Sequence, residues 1–146
     1  MDVWRAPFRI STDPHRLDVD LIHTFLSERA YWALGRPRAL VEQALAHSLC
    51  FGVYAEDQQV GFARVVTDYA TFAWLCDVFI LETHRGLGLS KWLLETIVAH
   101  PQLAHLRRFL LATRDAHGLY ERYGGFRPLQ TPEGWLERFN PGPSAA

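Results

Sequence analysis

Apolar residues change their spacing several times along this chain, and each change marks an element. Leu21, Ile22, Phe25 and Leu26 recur at helical intervals behind Asp18, which has the side chain of a helix N-cap. That spacing predicts a helix running to about Tyr31 or Trp32, with Gly35 past its end. Pro37 suits the first position of a second helix, whose apolar face is Leu40, Val41, Ala44, Leu45 and Leu49. From Cys50 the pattern turns extended. CFGVYA, the turn EDQQ and VGFARVV read as a β-hairpin. A third strand over residues 70–81 is rich in aromatic and β-branched side chains and carries Asp77 in its middle. A helix over 88–99 follows, stopped by Pro101, then a short strand at 108–112 and a short helix at 116–123 closed by Gly124 and Gly125. Residues 4–10 predict a first strand, and 126–129 and 135–139 predict two final strands.

This order predicts an α+β fold: a mixed, mostly antiparallel sheet, one parallel β-α-β crossover between residues 70 and 112, and helices on both faces. The 146 residues suit one domain over 1–146, with 141–146 (PGPSAA) as a loose tail. Fifteen basic and sixteen acidic residues leave a net charge of -1, without the basic excess of a broad nucleic-acid surface. The longest uncharged apolar run, residues 69–76, is far short of the ~20 residues that cross a bilayer. The first residues carry charges and no apolar core, so no signal peptide is expected. Cys50 and Cys76 lie in apolar stretches and read as reduced thiols, hence a cytoplasmic protein. The seven histidines form no metal-ligand spacing, and no metal site is expected.

The sharpest local signal is Arg85-Gly86-Leu87-Gly88-Leu89-Ser90, between a strand and a helix. Glycines allow a tight turn and close approach of a ligand to the backbone. The first turn of a helix leaves N–H groups without intrahelical acceptors, and the helix dipole favours an anion there. Such a turn can hold a diphosphate, with Arg85 and the Ser90 hydroxyl as further donors. Gly-Lys-Ser/Thr is missing, which excludes a P-loop, and Lys91 stands where a dinucleotide fingerprint needs its third glycine.

With these residues the chain resembles the GNAT superfamily of acetyl-CoA-dependent acyltransferases. Its signature Gln/Arg-x-x-Gly-x-Gly/Ala is met from Arg85 to Ser90, with Ser90 in the last small-residue place. A second family signature, Asn-x-x-Ala-x-x-x-Tyr-x-x-x-Gly-Phe, is approximated from Thr113 to Phe126. Thr113 replaces Asn, and one extra glycine separates Gly124 from Phe126. The resemblance implies direct acetyl transfer from acetyl-CoA to a small-molecule, peptide or protein amine. It implies that the backbone of Val78, Phe79 and Ile80 pairs with the pantetheine arm, while residues 85–90 hold the diphosphate. Tyr120, which keeps the family spacing from Ala116, is the implied acid for the departing thiolate, with Tyr123 as the alternative. Asp77, a charge inside an aromatic strand, is a candidate acceptor for the amine proton, and Glu82 a second one. Tyr31, Trp32, Arg36 and Arg38 form an aromatic and basic junction between the first two helices, where the family often builds its acceptor wall. The competing expectation is an acyl-CoA-binding module without catalysis on the same fold.

Overall fold

The computed structural model describes residues 1–142. Its six strands lie side by side in chain order: β1 (Asp2–Arg5), β2 (Phe8–Ser11), β3 (Leu49–Ala55), β4 (Gln58–Thr67), β5 (Phe72–Ile80) and β6 (Arg108–Leu111). The first five pair antiparallel. β6 pairs parallel to β5, as a crossover through an intervening helix requires. The helices are α1 (Val19–Glu28), α2 (Arg38–Ala46), α3 (Leu89–Val98) and α4 (His117–Gly124).

Two cores lie on opposite faces of the sheet. On one face Leu89, Trp92, Leu93, Leu94 and Ile97 of α3 pack on Val53, Val60, Ala63, Val65, Ala73 and Leu75. On the other, Ile22, Phe25 and Leu26 of α1 and Val41 of α2 cover Cys50, Phe62 and Phe79. Phe25 and Phe79 stack with ring centroids 3.9 Å apart. Truncating a fully enclosed side chain such as Leu93 costs about 2–5 kcal/mol, lost transfer energy plus a cavity. The start of α1 is fixed from two sides. Asp18 Oδ1 accepts from the Leu21 N–H (3.0 Å), and the Asp18 N–H donates to Oε1 of buried Gln59 in β4 (2.8 Å).

Three departures from the sequence expectation follow from local chemistry. The first expected strand is a hairpin, because Pro7 has no N–H for a continuous ladder and the chain reverses there. Helix α1 ends at Glu28. Residues beyond it run as turns, and Gly35, at φ 73°, returns its N–H to Ser27 O (2.9 Å). The two final strands expected at 126–129 and 135–139 do not form. Pro128 and Pro132 interrupt the first stretch and its approach to the second. The second finds no sheet face: Leu136 is 97% and Phe139 71% exposed. Of the tail expected over 141–146, residues 143–146 lie outside the described residues.

One irregularity in β5 shapes the site. Phe62 opposes Phe79 while Arg64 opposes Cys76, so Ala63 alone faces both Asp77 and Val78. The extra residue makes a β-bulge, and Asp77 takes the left-handed backbone it needs, at φ 52°. Asp is among the few non-glycine residues that adopt this conformation readily. Across the bulge the strand changes faces: Ala73 and Leu75 face α3, whereas Phe79 faces α1.

Candidate active site

The parallel pairing of β5 with β6 runs from Phe72↔Arg108 to Leu75↔Leu111 and stops there. β5 continues to Ile80 with β4 on one side only. The Leu81 N–H donates to Val60 O (2.8 Å), so main-chain groups alternate along the strand and those of Val78 and Ile80 aim at the unpaired edge. Ile80 O there accepts from Arg85 Nε (3.1 Å). A cavity of about 310 Å³ opens where the strands part, with Val78 and Tyr120 on its lining together with Trp32, Arg36, Arg64 and Asp77. A second groove of about 300 Å³ begins at Ile80 and runs along Arg85, Gly86, Gly88, Leu89 and Ser90. One strand end thus serves both spaces, Val78 in the cavity and Ile80 in the groove.

The groove is built from backbone. Gly86 and Gly88 have φ of 81° and 77°, and a Cβ on either would meet nothing within 4 Å. Gly88 caps α3 without any side-chain bond. Among the described residues, the N–H groups of residues 86–91 have no acceptor in the chain. Free donors, an open approach and a helix start are the features a diphosphate needs. Lys91, which the sequence reading passed over, joins the groove with its Nζ 4.8 Å from the Tyr123 ring. Leu87 is exposed and lies off the groove lining, and Phe79 is buried in the α1-side core, so Phe79 offers a ligand only its main chain.

The cavity is built from side chains. Asp77 is buried and its carboxylate accepts three bonds. Trp32 Nε1 donates to Oδ1 (2.8 Å), while Arg36 Nη1 (3.0 Å) and Arg64 Nε (2.9 Å) both donate to Oδ2. Arg64 also donates through Nη1 to Ser48 Oγ (3.0 Å). Tyr120 comes from α4 and packs edge-on against Phe126, with centroids 6.1 Å apart. Burial pushes its phenol up to about 12, with Tyr31 and Asp115 nearby adding to the rise. Burial also pushes the Cys76 thiol, on the same lining, up to about 12. Tyr31 crosses Trp32 edge-on at 5.0 Å and accepts from the Arg114 N–H (3.2 Å).

The cavity therefore collects Tyr120, Asp77 and Val78 among the residues expected from sequence, and the groove collects Ile80, Arg85, Gly86, Gly88, Leu89 and Ser90, with Leu87 and Phe79 off both linings. Tyr123 faces the groove and not the cavity. Glu82 is exposed, 3.7 Å from Arg29, and lies off the cavity lining. Arg38 turns outward to Asp20 and Glu42. Arg64 was not singled out in the sequence. Arg64 opposes Cys76, next to Asp77, and only that register brings it to the carboxylate.

The sequence model described as the acetyltransferase (GNAT) family matches residues 11–126. The chain belongs to the GNAT acetyltransferase family, whose members take acetyl-CoA as co-substrate. A curated relative, the candidate acetyltransferase FG08082 of Gibberella zeae, is 34% identical over 89% of this chain and 85% of its own. A crystal structure of a candidate GNAT acetyltransferase from Xanthomonas campestris pv. campestris is 55% identical, covers 92% of this chain and 94% of that one, and superposes with a TM-score of 0.89. A predicted acetyltransferase of Clostridium acetobutylicum, solved with acetyl-CoA, shares the fold at 16% identity and a TM-score of 0.65, over 92% of this chain and 95% of that one. The six-stranded mixed sheet with helices on both faces is the GNAT fold, and this chain is a GNAT acetyltransferase.

Proposed function

We propose that the cavity at the end of β5 is where an amine attacks the thioester, and that Tyr120 supplies the proton to the leaving sulphur. The observation that carries this reading is the continuity of the site. A single unpaired strand edge leads from the groove of free N–H donors at residues 86–91 to the cavity holding Tyr120.

Acetyl-CoA brings the activated acetyl group, and the chain's own residues do the rest. Residues 86–91 take the diphosphate on main-chain N–H groups, with Lys91 as a nearby cation. Main-chain groups of Val78 and Ile80 pair with the pantetheine arm as an added strand would. The amine forms the new C–N bond to the thioester carbonyl, and the carbonyl oxygen gains charge. The Val78 N–H donates to that oxygen, a kind of contact whose loss typically costs about 3 kcal/mol of barrier. The C–S bond then breaks, Tyr120 protonates the thiolate, and solvent returns the proton to the phenol. The amine gives up its own proton to water in the cavity.

A phenol raised to about 12 stays protonated at neutral pH and is always ready to donate. A thiol in solution, near pKa ~8.5, is a poor match for such an acid. The burial that holds the Cys76 thiol protonated on the same lining also disfavours a bare thiolate there, which favours proton transfer to it. Asp77 was a candidate proton acceptor. With both oxygens engaged by three N–H donors, we assign it the positioning of Arg36 and Arg64 instead. The free thiols Cys50 and Cys76 suit a reducing compartment. Among the described residues no helix is long and apolar enough to cross a membrane.

The test is Tyr120→Phe, followed by thiol release from acetyl-CoA with an accepted amine. The expected result is a fall in kcat of about 100-fold or more with KM for acetyl-CoA little changed. An intact kcat removes the acid role from Tyr120. Calorimetric CoA binding without thiol release from any amine leaves only the binding module.

A further inference from the structure

We infer that the amine accepted by this site carries an anionic group, a carboxylate or a phosphate, which sits against Arg36 and Arg64. The inference deepens the acetyl-transfer reading of the same cavity and rests on it.

The first argument is charge. Two guanidiniums share one carboxylate, and all three side chains are largely withdrawn from water: Arg36 is 15%, Arg64 12% and Asp77 3% exposed. Among the described residues, one positive charge in the cluster has no counter-ion. Burying an unpaired charge is costly, and a partner from outside the chain removes the cost. The other carboxylate on the lining, Asp115, is 69% exposed and lies 4.0 Å from Arg114.

The second argument is donors. Each guanidinium has five N–H groups in a planar fork, which matches two oxygens of a carboxylate or phosphate. Arg64 uses Nε on Asp77 and Nη1 on Ser48, and Arg36 uses Nη1 on Asp77. Arg64 Nη2, and Arg36 Nε and Nη2, have no acceptor among the described residues. They are not sealed in either, since the buried polar atoms without partners there are Arg9 Nε and Tyr54 Oη. These donors touch solvent, and both arginines line the cavity. Asp77 and Ser48 fix the guanidiniums in advance, so little side-chain freedom remains to be lost on binding. Trp32 and Trp74 give the rest of the wall an apolar surface for the stem between anion and amine.

The experiment compares matched amines that differ only in charge: amino acids against their carboxamides, and aminoalkyl phosphates against the corresponding amino alcohols. Thiol release from acetyl-CoA is read with the wild type and with Arg36→Gln, and CoA affinity by calorimetry checks that the variant is folded. The expected result is a kcat/KM higher for the anionic member by about 10- to 100-fold, with Arg36→Gln bringing the ratio toward one. The arm with the larger ratio tells carboxylate from phosphate. Equal or better use of the neutral members by the wild type overturns the inference and leaves acetyl transfer standing. If no amine releases thiol, calorimetry with the N-acetylated anionic products in the presence of CoA decides. Binding that Arg36→Gln abolishes upholds the anion site and removes the transfer reading. No binding to the wild type overturns the anion site.

Discussion

The groove at residues 86–91 and the wall around Asp77 lie at the two ends of one strand segment, yet they are made in opposite ways. The groove offers main-chain N–H groups held by two left-handed glycines and a helix start, with its donors open to solvent. The wall offers side chains drawn from β4, β5 and the α1–α2 junction, locked by a shared carboxylate and withdrawn from water. A backbone site needs space and correct dihedrals, so its identity is local. A side-chain site needs three separate segments to meet, so its identity belongs to the fold. The first suits a ligand common to a family, and the second suits a partner peculiar to one chain.

That contrast can be broken at several points. Asp77→Ala attacks the wall most directly. It leaves two buried guanidiniums without their anion and is expected to destabilise the chain by about 3–5 kcal/mol, read as a lower urea midpoint. A loss below about 1 kcal/mol means that the arginines reach water and that the wall is less enclosed than described. Loss of the Tyr120 hydroxyl comes next, at about 3 kcal/mol of barrier with little change in folding. Gly88→Val addresses the groove. A β-branched side chain at φ 77° costs roughly 1–2 kcal/mol and moves the donors, so CoA affinity by calorimetry should fall about tenfold or more, while the preference among amines is kept. A change in amine preference instead would join the two regions into one.

The smallest effect is on the alkaline side of the stability curve. In the unfolded chain thiols and phenols release protons near ~8.5 and ~10. In the folded chain Cys50, Cys76, Tyr54 and Tyr120 hold theirs up to about 12. The unfolded state then binds fewer protons, so stability falls as pH rises from about 9 toward 12 and is unaffected by these groups below that window. Urea midpoints across this range should decline, and Tyr120→Phe should make the decline shallower only above about pH 10. An unchanged slope in that variant places the phenol in water.

The same division governs what the sequence could tell. The glycine turn was legible because glycines between a strand and a helix declare their dihedral needs locally. Tyr120 entered through the family resemblance, whose spacing from Ala116 it keeps, and the structure puts it on the cavity lining. Asp77 stood out as a charge in an aromatic strand, but its partners did not. Arg64 sits in VGFARVV as one polar position in a strand, and only the register of β4 on β5 brings it to the carboxylate. That register includes a bulge, which no local pattern encodes. Residues 135–139 failed in the other direction. Trp-Leu-Glu-Arg-Phe is rich in apolar side chains but does not alternate, and apolar content makes a strand only where a neighbour and a core face are supplied.

The left-handed residue at 77 has a consequence for the molecule's tolerance of length changes. It is the fault line at which β5 trades allegiance between layers, sending Leu75 to one and Phe79 to the other. Because residue 77 is the extra one, deleting it would leave Val78 opposite Ala63 and Phe79 opposite Phe62, so the ring stacked on Phe25 keeps its slot while the carboxylate is lost. Deleting a neighbouring residue instead would turn everything downstream inside out. Shortening this strand at 77 should therefore be easier on the fold than shortening it at any neighbouring position.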